Sequence, residues 1–258
     1  MSPSRKAKDS SDPPRSAINP HPNRTRPDPH TGVSLNNLHG RDALGAYILK
    51  PESFPSPQRV LRYNNQFVTI HDVYAKSSIH LLVLPRDLRI SSLHPFDALA
   101  DPAFLERMEG EVTELKKIMS SELRRMFGKY SKAEAARNDA LSSPDPPEEL
   151  PAGRDWEAEL MVGVHAHPSM NHMHVHLMSR DRHSDALKHR KHYNSFSTRF
   201  FVPLEEFPLA EDDARRSPDK AGFLAQDMKC WRCGKNFGNK FKALKGHLEN
   251  EFEEWKRE

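Results

Sequence analysis

The chain of 258 residues, with 36% hydrophobic and 29% charged side chains and 21 prolines, is long enough for one medium domain plus a small module, yet too polar to be folded from end to end. Its formal charge of +3 does not define a partner, so local clusters must carry any argument about anions. Both cysteines, Cys230 and Cys233, sit in CWRC, no apolar run approaches a membrane span, and MSPSRKAKDSSDPPRS lacks the apolar centre of a signal peptide; a disulfide-built secreted fold and a membrane protein are excluded, and a soluble protein of a reducing compartment is expected.

Residues 1–34 contain no aromatic side chain and seven prolines, with Arg5, Lys6, Lys8, Arg15, Arg24 and Arg26 against three aspartates. This composition predicts a disordered basic tail. Its SRKAK cluster suits nuclear import or nonspecific phosphate contact, although short basic runs are also common in solvated termini. From residue 35 the pattern becomes globular. Leu38, Leu44, Tyr47 and Ile48 predict one apolar helical stripe ending before Pro51, and RVLRY and QFVTIHD flank the turn signal NN. IHLLVLP then runs into its proline, so a meander of antiparallel strands is expected.

Behind Asp101 and Pro102, an N-cap and a first-turn proline, apolar residues from Phe104 to Phe127 recur at steps of three and four. They predict a long amphipathic helix over one sheet face. Residues 138–155, rich in proline and charge, read as an exposed insertion. Two further strands follow, EAELMVGVHAHPSM and PSMNHMHVHLMS.

The second of these alternates His172, His174 and His176 with Met173, Val175 and Leu177. On a strand, one such set faces the core while the other lines a surface. A single histidine there would read as a solvated edge residue. Three, with His165 and His167 upstream, read as chemistry: either a zinc site of the His-x-His type or a nucleophilic imidazole with helpers. Around them lie Ser169, Ser179, Arg180, Lys188 and Arg190 rather than a carboxylate base, which favours an anionic phosphoryl group.

HMHVHLM resembles the signature of the histidine triad nucleotide hydrolases and transferases. GVHAHPSMNHMHVHLMSRD and LKHRKHYNSF, with DVYAKSSIHLLVLPRD upstream of them, are similar to the aprataxin family. The resemblance covers about residues 36–255. It implies that His174 attacks the α-phosphorus of an adenylate to form a covalent nucleotidyl-histidine, with His172 and His176 contacting phosphate oxygens and His165 helping the leaving phosphate. A neutral imidazole, of ordinary pKa about 6.5, is a competent nucleophile near pH 7. Ser169 would donate to the phosphate and Lys76 offset its charge. Ser179 and His80 complete the substrate-side set, His80 more as a brace of the fold than as a contact.

In the carboxy-terminal segment Cys230 and Cys233 are followed after thirteen residues by His247 and four later by Glu251. The spacing resembles a zinc finger of two cysteines and two histidines with Glu251 in the place of the second histidine, a helical turn from His247. This variation fits fungal members of the family. A redox Cys-x-x-Cys would need a βαβ context that is missing. Phe237, Phe241 and Leu244 are expected to form a miniature core. Lys242 and Lys245, with Lys188, Lys191 and His192 beside the triad, form the candidate DNA-binding surface.

The expected fold is therefore α+β: a histidine triad domain over 35–205, an antiparallel sheet with covering helices, and a zinc-finger DNA-binding module over 206–258. The implied function is hydrolysis of AMP from adenylated 5′-phosphate ends left by abortive ligation at nicks, double-strand ends or RNA-DNA junctions, in the nucleus and also the cytoplasm, with structural zinc and no catalytic metal. The rivals are a small-molecule nucleotide hydrolase or transferase of the same superfamily, and a noncatalytic nucleic-acid-binding zinc protein. No forkhead-associated domain for phosphopeptide partners is recognised, and no aromatic precedes Tyr47 to wedge a DNA end; Leu38 or His39 would have to substitute.

Overall fold

Strands form where branched and aromatic side chains can fill two buried faces at once, and the segments that satisfy this condition assemble one sheet here. The computed structural model describes residues 40–54 and 59–258; the tail 1–34 with its SRKAK cluster, and Leu38 and His39, lie outside them. In chain order the elements are α1 (Gly45–Leu49), β1 (Val60–Tyr63), β2 (Phe67–His71), β3 (His80–Pro85), α2 (Leu88–Ser91), α3 (Pro95–Ala98), α4 (Pro102–Phe127), α5 (Ala135–Ser142), β4 (Leu160–His165) and β5 (Val175–Ser179). They continue with α6 (Arg190–Ser197), β6 (Phe201–Pro203), α7 (Pro218–Ala221), β7 (Met228–Lys229), β8 (Asn236–Gly238) and α8 (Phe241–Arg257).

The six-stranded sheet is antiparallel throughout, in the order β1-β2-β3-β5-β4-β6. It begins as the expected meander, but β5 inserts between β3 and β4, since the long excursion through α4 separates β3 from its sequence successor. At the NN turn, Asn64 Oδ1 accepts the N–H groups of Gln66 and Phe67, both at 2.8 Å, which closes the β1–β2 connection. Asp101 caps α4 by accepting from the Ala103 N–H at 3.0 Å behind Pro102. The buried stripe of α4, from Phe104 to Phe127, packs with Leu81, Val83, Val175 and Leu177 on one sheet face. Leu82 and Leu84 point the other way, into a smaller core with Leu44 and Ile48 of the α1 region. His176 pairs with Leu82 across the ladder, so it stands on the face away from α4. Gly163 of β4 allows β6 to close on this end of the sheet, because a Cβ there would meet the Val202 carbonyl at 2.3 Å.

At the end of the segment expected to be an exposed insertion, Arg154 is buried. Its guanidinium carbon lies 4.5 Å from the Trp156 ring and 4.9 Å from the Trp255 ring, and it donates to the Trp255 carbonyl at 2.6 Å and to Glu159 at 2.8 Å. Glu134, fully buried, accepts from Arg124, from Trp156 Nε1 and from the Arg154 N–H. The miniature core expected of the carboxy-terminal module is a shared one: Leu244 and Leu248 are buried with Met228, Cys230, Leu187 and Tyr193, while Phe237 and Phe241 are only partly covered. So few residues cannot bury enough apolar surface alone, and the neighbouring domain supplies the rest. Among the described residues no helix is long and apolar enough to cross a membrane.

Candidate active site and metal centre

β5 begins only at Val175, so of the three alternating histidines His176 alone sits in the ladder. His172 and His174 belong to the extended approach, which the Met173 N–H anchors to the Ser91 carbonyl at 2.8 Å. The alternation still directs the packing, because Met173, Val175 and Leu177 are buried in the main core. His174 Nδ1 lies 2.7 Å from the His172 carbonyl. A carbonyl can only accept, so Nδ1 carries the proton and Nε2 keeps its lone pair. His80 Nδ1 accepts the Lys76 N–H at 3.2 Å, with an Asp72 carboxylate oxygen at 3.4 Å. Its Nε2–H is thereby free to donate to His176 Nδ1 at 2.9 Å. That leaves the outward Nε2 of His176 as a proton donor.

The ring centroids of His165 and His176 are 4.4 Å apart, and those of His174 and His176 4.9 Å. Three buried ring nitrogens, His165 Nε2, His172 Nδ1 and His176 Nε2, have no hydrogen-bond partner among the described residues. Each unpaired group costs about 1–3 kcal/mol, a cost that a ligand rich in acceptor oxygens would relieve. Burial is the first cause that lowers the pKa of His165, His172, His174 and His176, and it takes His80 down to about 4. The cluster is therefore uncharged near pH 7, the form an imidazole nucleophile needs. The nearby charge of Lys76, itself buried and bonded through Nζ to the Tyr74 carbonyl, pushes His165 and His176 further down.

Two residues of the expected substrate-side set, Ser179 and His80, are engaged within the protein. Ser179 is fully buried, and its hydroxyl bonds Asp181 and the Ile79 backbone, so it braces β5 against the end of β3. His80 has both ring nitrogens engaged within the protein, so it orients His176. Ser169 is exposed in the loop between β4 and β5. Sequence reasoning missed Phe196 of α6, which packs on three histidines at once, 5.4 Å from His80, 4.5 Å from His165 and 5.2 Å from His176. Its only signal was membership of the KHYNSF segment, whose charges drew attention first. Asp72 was likewise passed over.

The ligand atoms of Cys230, Cys233, His247 and Glu251 lie within 4.8 Å of one another. Cys233 Sγ is 3.2 Å from His247 Nε2, which is 3.0 Å from Glu251 Oε1. Zinc bonded tetrahedrally at about 2.0–2.3 Å needs ligand atoms roughly 3.3–3.8 Å apart. Two thiolates, an imidazole and a carboxylate fit that ion with modest adjustment. Arg232 donates to the other Glu251 oxygen at 2.7 Å and holds this carboxyl below its usual range, the outer support that a ligating carboxylate requires. A second grouping is Asp72, His80 and His176, in which His80 is bonded to His176 at 2.9 Å and Asp72 lies 3.4 Å from the other His80 nitrogen.

On the candidate DNA-binding surface Lys188, Lys191 and Lys242 are exposed. Lys245 is committed in part, donating to the carbonyls of Ser184 and Leu187 at 3.2 and 3.3 Å. His192 is no cation: burial first, then His189, lowers its pKa to about 4, and its Nδ1 accepts the Lys188 N–H at 3.3 Å. Arg182, a few residues before Lys188, is buried with φ of 51°.

The HIT domain family model matches residues 54–183, and the C2HE / C2H2 / C2HC zinc-binding finger model matches residues 197–254. The chain is 32% identical over 217 residues to an aprataxin-like protein of Schizosaccharomyces pombe, covering 83% of this chain and 82% of that one. It is 33% identical over 216 residues to an aprataxin-like protein of Saccharomyces cerevisiae, covering 82% and 95%. A crystal structure of the aprataxin ortholog Hnt3 in complex with DNA superposes with a TM-score of 0.65 at 32% identity, over 83% of this chain and 96% of that one.

Proposed function

The chain belongs to the aprataxin-like branch of the HIT-domain, or histidine triad, proteins, and on that premise we propose that it removes AMP from adenylated 5′-phosphate ends of DNA through a covalent AMP-histidine intermediate. The observation that carries the reading is the trio of unpaired buried nitrogens on His165, His172 and His176 around a His174 whose Nε2 lone pair is free. Such a set suits a phosphoryl group under attack.

In this reading His174 Nε2 attacks the α-phosphorus, and the bond from phosphorus to the oxygen of the DNA 5′-phosphate breaks. The departing phosphate takes its charge compensation from Lys76, with the neutral ring of His165 beside it. Nε2–H of His176 and the ring of His172 hold the nonbridging oxygens, with Ser169 donating from its loop. Water then attacks the same phosphorus, breaks the N–P bond and returns His174 with free AMP. This reading assigns the reaction to the histidines without a catalytic metal, as the resemblance to the histidine triad hydrolases implies. Zinc at Cys230, Cys233, His247 and Glu251 would supply a cross-link that fixes the module's fold.

Lys188, Lys191 and Lys242 supply phosphate contacts for DNA, and the crystallised relative named as a DNA complex supports that partner. A nuclear location follows from the substrate. Purified protein should release AMP from a 5′-adenylated nick and leave an end that ligase can seal. Turnover confined to free nucleotide adenylates would instead favour a small-molecule hydrolase, and binding without turnover a noncatalytic protein.

A further inference from the structure

Helix α6 touches both chemical centres. Near its start the Tyr193 hydroxyl donates to the Lys229 carbonyl at 2.7 Å and accepts the Trp231 N–H at 2.9 Å. These two backbone groups flank Cys230, so one phenol closes a clasp over the knuckle that carries a metal ligand. Asn194 adds a bond to the Gln226 carbonyl at 2.7 Å. Three residues after Tyr193, about one helical turn, Phe196 packs on His80, His165 and His176. Arg182 ties the far end of α6 to the same knuckle: it donates to the Phe196 carbonyl and the Ser197 hydroxyl, each at 2.9 Å, and lies 5.4 Å from the Trp231 ring. Its left-handed backbone, uncommon for a residue with a side chain, is retained where such buried bonds over-determine it.

A helix of two turns is stiff along its axis, and Tyr193 and Phe196 are both buried, so neither contact can adjust independently of the other. We propose that Tyr193 and Phe196 are positioning residues through which the metal-bearing knuckle sets the orientation of His165 and His176. The carboxy-terminal module then has a second duty beside any contact with nucleic acid: it holds the triad in reacting geometry even for a substrate too small to reach it. Removal of zinc loosens the strand that Tyr193 grips and frees α6 to rotate away from the histidines.

The test compares full-length wild type, Tyr193→Phe and Phe196→Leu in three measurements: transfer of zinc to a chromophoric chelator, ring resonances of His165 and His176, and kcat and KM for a small adenosine phosphoramidate. Only the kinetic arm rests on the hydrolase reading; a wild type that turns over nothing would end that reading, while the resonances would still decide this one. Tyr193→Phe should release zinc about tenfold faster, as expected for loss of buried hydrogen bonds. It should also move both ring resonances in the direction seen when wild type is stripped of zinc, with kcat lowered about tenfold and KM within about twofold. Phe196→Leu should keep its zinc at the wild-type rate yet move the same resonances. Wild type stripped of zinc with unmoved histidine resonances would overturn the coupling, as would a Tyr193→Phe protein that loses zinc faster but keeps its resonances and kcat.

Discussion

His80 and His176 share one proton line: Nε2 of the first donates to Nδ1 of the second across 2.9 Å, while a backbone N–H occupies the first ring's other nitrogen. Tautomer and ring orientation of His176 are therefore set from within the protein before any substrate arrives. His80→Ala should lower kcat for a small adenylate by about 10²-fold, typical of a lost proton-transfer arrangement, while KM moves little. His80→Gln, which keeps a donor near the same place, should recover part of the loss. Steady-state kinetics on both variants decides whether His80 orients or merely fills space.

His174→Ala should abolish AMP release, by at least about 10³-fold, because no neighbouring imidazole can reach the phosphorus from the same position. DNA affinity should be nearly unchanged, since the contacts that bind DNA are distributed. Rapidly quenched protein incubated with radiolabelled substrate should carry AMP in wild type and not in the variant.

Stability should respond to pH through the buried rings. Burial keeps the folded pKa of His80 at about 4, against about 6.5 unfolded, so between these values the unfolded chain binds the extra proton. Stability is accordingly lost as pH falls from about 6.5 towards 4 and is flat above. Replacing His80 by Gln should make this loss shallower, which paired thermal melts across the range would detect. The acidic limb of kcat/KM should also fall below about pH 6.5, because His174 is lowered from that ordinary value by its own burial.

Exposed charge should separate a DNA end from a free nucleotide. Lys188, Lys191 and Lys242 changed together to Glu should raise KM for adenylated DNA by at least about tenfold and reduce its salt dependence by roughly three counterions. Hydrolysis of a small adenosine phosphoramidate should stay within about twofold. Lys245 is left out, because its ammonium secures two carbonyls of the 184–187 loop and its reversal would disturb the fold.

Arg154→Met should destabilise the protein by roughly 3–5 kcal/mol, the usual result of removing one partner of a buried charge pair. It strips Glu159 of a cation and Trp255 of both a hydrogen bond and a stacked guanidinium. Urea unfolding of the zinc-loaded protein gives the difference.

Local rules reached what is local. The Asp101–Pro102 start and three-to-four periodicity specify α4, and the distance from Cys233 to His247 and Glu251 specifies ligands that meet on successive turns of α8. What escaped depends on residues far apart in sequence. The polarity of Ser179 suggested contact with ligand, whereas Asp181 and Ile79 satisfy it in the interior. Phe196 gave no signal beyond its place in the KHYNSF segment, because an aromatic acquires meaning as a wall for three imidazoles only when β3, β4 and β5 are brought beside α6. The place of β5 between β3 and β4 was equally hidden, since alternation specifies which face a side chain takes but not which neighbour a strand selects.

The apolar floor common to Leu187, Tyr193, Leu244 and Leu248 bears on how such a chain can be recombined. A finger that completes its own interior can be lifted out and grafted elsewhere as a cassette; this one would leave part of its interior behind. Residues 226–258 expressed alone would present Leu244 and Leu248 to solvent, and a chain cut before Met228 would uncover Leu187 and Tyr193. Exchange between homologous chains should therefore succeed only when the crossover keeps α6 with the finger it clasps.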